Sequence, residues 1–176
     1  VAERGRRAGP GWRAGWLLLA LAALAGCNRP RPATMRLAVH AGPLSLDPHL
    51  SNEILTLSLL SNVYEGLTTL DPELRVVPAL ASRWENPDDL TWRFHLRPGA
   101  RFHDGREVEA EDVVSSLERV RGHPRSDFAS YLVEVDRVRA LDRLAVELHL
   151  RRPFAGLLNK LAFLAVLPRG SPPEIV

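Results

Sequence analysis

The 176-residue chain holds one cysteine, one methionine, two tyrosines and a single lysine, Lys160, against 22 arginines. One cysteine, Cys27, excludes an intrachain disulfide and any zinc site built on two or more thiolates. Only 6% of residues are aromatic and no apolar run approaches the twenty residues that a membrane-spanning helix needs. Positive charge is not in excess beyond the N-terminus either. Arg4, Arg6, Arg7 and Arg13 crowd the N-terminus against one acid, Glu3. Without residues 1–26 the formal charge falls from +2 to −1. A basic nucleic-acid footprint is therefore not expected. No Gly-x-Gly-x-x-Gly, P-loop or Gly-x-Ser-x-Gly motif occurs, and no cofactor is expected. With 45% hydrophobic and 25% charged residues the chain is nonetheless of ordinary globular composition.

What is present begins with an address. Residues 1–14 are basic and polar, and Trp16 to Ala25 are uninterrupted apolar residues. A run of about ten fits the h-region of a secretory signal rather than a bilayer span. It ends in Leu24-Ala25-Gly26-Cys27, which looks like a bacterial lipobox. Small residues before the cut let a peptidase hold an extended chain, and the thiol of Cys27 receives the diacylglycerol. The bland alternatives are a buried helix and an ordinary signal peptide with a chance cysteine. The basic flank opposes the first, and the position of the only cysteine opposes the second. Residues 1–26 are thus expected to be a lipoprotein signal peptide. Residues 27–35 are expected to be the lipidated cysteine and a proline- and arginine-bearing tether.

The remainder reads as α+β with mostly antiparallel strands. Arg36–His40 is a strand candidate. Ser51 or Asn52 can cap a helix carrying Glu53 in its first turn and a stripe of Leu55, Leu59, Leu60 and Val63. Leu67–Leu70 is β-like. Val77–Trp84 reads as a turn or short helix running into a strand, and Asn86–Asp89 as a loop. Thr91–Leu96 alternates cleanly, with Trp92, Phe94 and Leu96 on one face. Pro98-Gly99 and Asp104-Gly105 are turns around Phe102. Glu109–Val120 is an amphipathic helix with Val113, Val114, Leu117 and Val120 on one face and acids in its first turn. Leu132–Arg139 and Leu144–Leu150 read as a hairpin, and Phe154–Leu164 as a short helix.

The histidines His40, His49, His95, His103, His123 and His149 are never three or four apart, so no helical metal-binding pair exists. His103-Asp104 admits a catalytic reading, an exported lipoprotein hydrolase. The adjoining Gly105 favours a plain turn. His95 and His149 sit on outward strand positions, where solvated side chains are expected.

Six stretches together resemble the family 5 extracellular solute-binding proteins. They are Ser45–His49 (SLDPH), Asn62–Leu67 (NVYEGL), Val77–Glu85 (VPALASRWE), Leu90–Gly99 (LTWRFHLRPG), Arg101–Arg106 (RFHDGR) and Val108–Arg119 (VEAEDVVSSLER). Their order and spacing match the signature region of these receptors of ATP-driven importers. The resemblance implies the N-terminal part of a two-lobed, periplasmic-binding-protein-like fold (type II, cluster C-like), with a mixed or antiparallel sheet and flanking helices. Lobe I would start over 36–50, an accessory subdomain of lobe I would occupy 51–165, and 166–176 would return into lobe I. It implies a non-enzymatic monomer that binds oligopeptides or dipeptides. The protein would be exported and lipid-anchored to the cell membrane, on its periplasmic or extracellular face. It would deliver ligand to the subunits of an ABC permease. Family members run to two or three times this length, so a fragment is expected. The ligand-facing loop would be Ala41, Gly42, Pro43, Leu44, Ser45, Leu46 and Asp47, offering backbone groups to a peptide.

Overall fold

Strand alternation and one amphipathic helix build most of what surrounds the site. The computed structural model describes residues 38–175. The signal-like segment, the lipobox and Cys27 lie outside the described residues. Residues 41 onward form one compact unit. Its elements are α1 (Ile54–Leu60), β1 (Thr68–Leu70), β2 (Val76–Pro78), β3 (Ala81–Asp88), β4 (Thr91–Leu96) and α2 (Ala110–Gly122). They continue with a 3-10 turn (Ala129–Leu132), β5 (Val135–Asp142), β6 (Ala145–Leu150) and α3 (Leu157–Leu161). β1 and β2 pair alone, and the other strands form an antiparallel sheet in the order β3-β4-β6-β5.

The alternation of β4 points Phe94 and Leu96 inward, beside Val146, Leu148 and Leu150 of β6. The apolar stripe of α2, Val113, Leu117 and Val120, packs against this face, and Phe128, Leu132, Leu157 and Leu161 close the core. Each such side chain, removed from water, contributes about 1.5–3 kcal/mol. Val114, expected on the stripe, is half-buried, and Asp112 and Ser116 take buried positions in its place. Asp112 Oδ2 accepts from Glu109 N at 2.9 Å, closing the first turn of α2. The helix stops at His123, which is extended as a residue before proline prefers to be. The two turns expected before it exist: Gly99 and Gly105 adopt φ of 76° and 88°, where a side chain would strain the backbone.

The opposite face of the sheet carries a row of alternating charge. Glu85 of β3 pairs in register with Arg93 of β4, Arg93 with Glu147 of β6, and Glu147 with Arg139 of β5. Glu147 accepts from Arg93 Nε and Arg139 Nε, both at 2.9 Å, and is only 5% exposed. Burial alone would raise its pKa. The two arginines outweigh it and hold the carboxyl below its ordinary range. His95 and His149 on this face are half-buried rather than solvated.

Several local expectations are corrected. Glu53, not Ser51 or Asn52, caps α1, its carboxylate accepting from Leu55 N at 2.8 Å and Thr56 N at 2.7 Å. Asn52 is engaged elsewhere, donating its backbone N–H to Asp127 Oδ2. The buried face of α1 is Thr56, whose hydroxyl accepts from Leu44 N at 3.0 Å, and Leu60, while Val63 is exposed in the turn after the helix. Of the turn or short helix expected to run into a strand over Val77–Trp84, the turn and the strand hold: Ala79 and Leu80 bend the chain between the end of β2 and the start of β3. Pro87 lies inside β3 rather than in a loop, tolerated because β3 is an edge strand with irregular register between Glu85 and Asp88. The helix expected over Phe154–Leu164 is confined to Leu157–Leu161. Of the strand expected at Arg36–His40, residues 38–40 are not strand and the rest lies outside the described residues.

Candidate functional site

The loop Ala41–Asp47 is tied down by side chains at short range. Ser45 Oγ accepts from Asp47 N at 3.0 Å, Asp47 Oδ1 accepts from His49 N at 2.9 Å, and the Tyr64 hydroxyl donates to Leu46 O at 3.1 Å. Ala41, Gly42, Pro43, Leu44 and Leu46 are exposed and Ser45 is half-buried. Leu44 and Leu46 are large apolar side chains 76% and 50% exposed, an arrangement that leaves apolar surface without a cover. Next to the loop a groove of about 780 Å³ opens, with Pro48, Ile54, Tyr64, Glu65, Arg97 and Phe163 among its walls. Arg97 forks onto Glu65, Nη1 to Oε1 at 3.3 Å and Nη2 to Oε2 at 3.2 Å, and Nη1 also donates to Ala79 O at 3.1 Å. The groove thus combines apolar walls with one exposed, mutually neutralised pair.

Asp47 behaves differently from its neighbours. It is fully buried, and its carboxylate accepts from Arg119, His49 N and Ile175 N. Burial alone would raise its pKa. The Arg119 guanidinium and the two backbone N–H groups outweigh it, so the carboxyl stays below its ordinary value. The loop therefore presents residues 41–46 to solvent, while the Asp47 carboxylate is spent inside the fold. Arg119 carries no signal in the sequence by itself: it lies 72 positions away from Asp47. The two are the central residue of the first motif stretch and the last residue of the sixth.

His103 and Asp104 do not form a catalytic pair. Both are exposed, Asp104 Oδ1 accepts from Arg106 N at 2.9 Å, and Gly105 completes the turn. No hydroxyl nucleophile or second carboxylate bonds to either among the described residues. The hydrolase alternative has no support in this geometry. Among the described residues no group of three or more His, Cys, Asp or Glu could hold a metal ion, and no helix is long and apolar enough to cross a membrane. The lipobox Leu24, Ala25, Gly26 and Cys27 lies outside the described residues.

Comparison with known proteins bears on the same region. The pattern of the bacterial extracellular solute-binding proteins, family 5 Middle, matches residues 75–174. The glutathione-binding protein GsiB of Pectobacterium atrosepticum is 32% identical over 129 residues, covering 72% of this chain and 25% of that protein. The periplasmic oligopeptide-binding protein OppA of Salmonella typhimurium is 39% identical over 89 residues, covering 50% of this chain and 16% of that one. The structure superposes on the murein tripeptide binding protein MppA of Escherichia coli with a TM-score of 0.67 at 26% identity, covering 72% and 29% of the two chains. It superposes on OppA of Haemophilus influenzae, solved in complex with RPPGFSPFR, with a TM-score of 0.67 at 30% identity, covering 73% and 29%. These relatives are binding proteins rather than enzymes, and the chain spans a quarter or less of the length of the curated ones. With its motif order, its α+β fold and a match over residues 75–174, the chain belongs to the family 5 bacterial extracellular solute-binding proteins.

Proposed function

We propose that the chain is the N-terminal portion of a substrate-binding lipoprotein of an ABC importer. It binds oligopeptides or dipeptides outside the cytoplasmic membrane and passes them to the permease without chemical change. The observation that carries this reading is the family match over residues 75–174, together with likeness to proteins named for peptide binding. In this reading residues 36–50 open lobe I, 51–165 form its accessory subdomain and 166–176 return into it. The backbone of loop 41–47, apart from Leu44 N and Leu46 O, which Thr56 and Tyr64 engage, would meet the peptide main chain, as extended peptides are commonly held through main-chain hydrogen bonds. Residues 27–35 would tether the monomer to the membrane through acylated Cys27.

A partial cleft cannot enclose a ligand. Calorimetric titration of residues 28–176 with tri- to pentapeptides is therefore expected to show weak binding or none. The polypeptide extended by its downstream reading frame is expected to bind. Tight binding by 28–176 alone would overturn the partial-chain reading, and failure of the extended protein to bind peptides would overturn the peptide reading. For the anchor, Cys27→Ser is expected to abolish incorporation of labelled palmitate and to release the protein from membranes, since retention rests on the buried acyl chains. Unchanged labelling would refute lipidation at Cys27.

A further inference from the structure

The segments that lead into and out of the sheet-and-helix body run side by side, joined by one cluster of side chains. Arg119, near the end of α2, directs Nη1 to Asp47 Oδ1 at 3.1 Å and to His49 Nδ1 at 2.7 Å. Its Nη2 donates to Asp47 Oδ2 and to the carbonyls of Pro173 at 2.6 Å and Pro172 at 3.4 Å. Asp47 Oδ2 also accepts from Ile175 N at 3.0 Å. On its other side His49 reaches Ala165 O with Nε2 at 2.9 Å. Residues 44–49 and 165–175 are thus stapled to each other and to α2.

This geometry dictates one protonation state. A carbonyl can only accept, so His49 Nε2 carries the hydrogen. A guanidinium can only donate, so Nδ1 is the bare nitrogen. A second proton on Nδ1 would remove the acceptor that Arg119 uses and set two cations 2.7 Å apart inside the fold. We propose that Asp47, His49 and Arg119 form a proton-sensitive latch: neutral His49 keeps Arg119 and Asp47 on residues 172–175, and protonation of Nδ1 frees those residues, while residues 166–169, bound to Glu65, Ser116 and Asp112, and the sheet persist.

The surrounding charges are consistent with that role. Burial foremost, then Arg119 and His123, lower the His49 pKa below its ordinary 6.5, against the opposing pull of the Ala165 carbonyl and Asp47. Tyr64, after α1, also feels Asp47 and Arg119. Asp127 donates its backbone N–H to His49 O at 3.2 Å and gives its carboxylate to Asn52 N, and Arg125 pairs with Glu174 on the outgoing segment. Because the folded pKa is depressed, the unfolded chain binds the proton more readily. The stability contributed by neutral His49 is present above 6.5 and is lost as pH falls from there through the folded value. Asp47 is held below its ordinary 3.8 and so stays charged down to about pH 4.5.

The test uses the full chain. The His49 ring nitrogens are followed by NMR while hydrogen–deuterium exchange, corrected for intrinsic pH dependence, is followed from about pH 7.5 to about pH 4.5. The expected result is a neutral Nε2–H ring at the upper end. As the ring protonates, exchange at Glu174 and Ile175 is expected to accelerate about tenfold or more, with Val166, Leu167, β4 and β6 unchanged. His49→Gln, which still donates to Ala165 O and does not titrate, is expected to remove the acceleration. An imidazolium at the upper end, a ring neutral throughout, the same acceleration in His49→Gln, or equal loss in β4 and β6 would each overturn the latch.

Discussion

Asp47→Ala is expected to destabilise the folded chain by about 3–5 kcal/mol, the range for breaking a buried ion pair by removing one partner. The Arg119 side chain is only 13% exposed and would lose both bonds to the carboxylate. Ile175 N would lose its acceptor as well. Solvent cannot repair the loss, because the side chain of Asp47 is fully enclosed. Against a typical domain stability of about 5–15 kcal/mol, such a loss is a large fraction of the whole. Urea unfolding followed by tryptophan fluorescence measures it. The double variant Asp47→Leu with Arg119→Met is expected to recover much of it, since replacing both charges leaves none buried alone. A loss below about 1 kcal/mol for Asp47→Ala would reduce the pair to the worth of a surface bridge and refute the assignment.

Phe94→Ala is expected to cost about 3–5 kcal/mol through lost burial and the cavity left behind. Phe94 has no exposed surface and lies with its ring centroid 6.4 Å from those of both Trp84 and Trp92. It pairs in register with Trp84 on one side and Val146 on the other, so β3, β4 and β6 all lose contact with it. The neighbours are held in a hydrogen-bonded ladder and cannot collapse far into the space. Near-ultraviolet circular dichroism should lose tryptophan signal alongside the shift in urea midpoint. Val133→Ala, at a position 65% exposed, serves as the control and should stay within about 0.5 kcal/mol. Equal behaviour of the two variants would mean that the core is not centred where Phe94 sits.

Much of the fold was legible because its strongest elements obey simple periods. Thr91–Leu96, the helix ending at Gly122-His-Pro124 and the hairpin ending at Leu150 each carry a regular apolar row, although β6 also buries Ala145 and Glu147 on its other face. Both Gly turns were legible because Pro98-Gly99 and Asp104-Gly105 put a turn residue directly before a glycine between apolar, strand-like residues. β2 and β3 were not. Val76–Pro78 is too short to alternate, and β3 buries a single residue, Ala81, so its edge position leaves no apolar rhythm in the sequence. The register of α1 was missed because a threonine takes a core position through a hydrogen bond to Leu44, a tertiary event with no local signal. At the site, the exposure of Leu44 and Leu46 follows from a loop sequence. The withdrawal of Asp47 does not, because its partner Arg119 arrives from a helix whose distance along the chain says nothing of its distance in space.

The two margins of the four-stranded sheet resist self-association. β3 and β5 are the outer strands, and each would be a template for a foreign strand were its ladder continuous. Pro87 lacks an N–H to offer, and register slips interrupt both β3 and β5. Along β5, Asp136, Arg137 and Arg139 add charge that a fifth strand would have to bury. The sheet is therefore capped at four strands by its own chemistry. At high local concentration neither margin of this four-stranded sheet offers a second copy an uninterrupted ladder to extend.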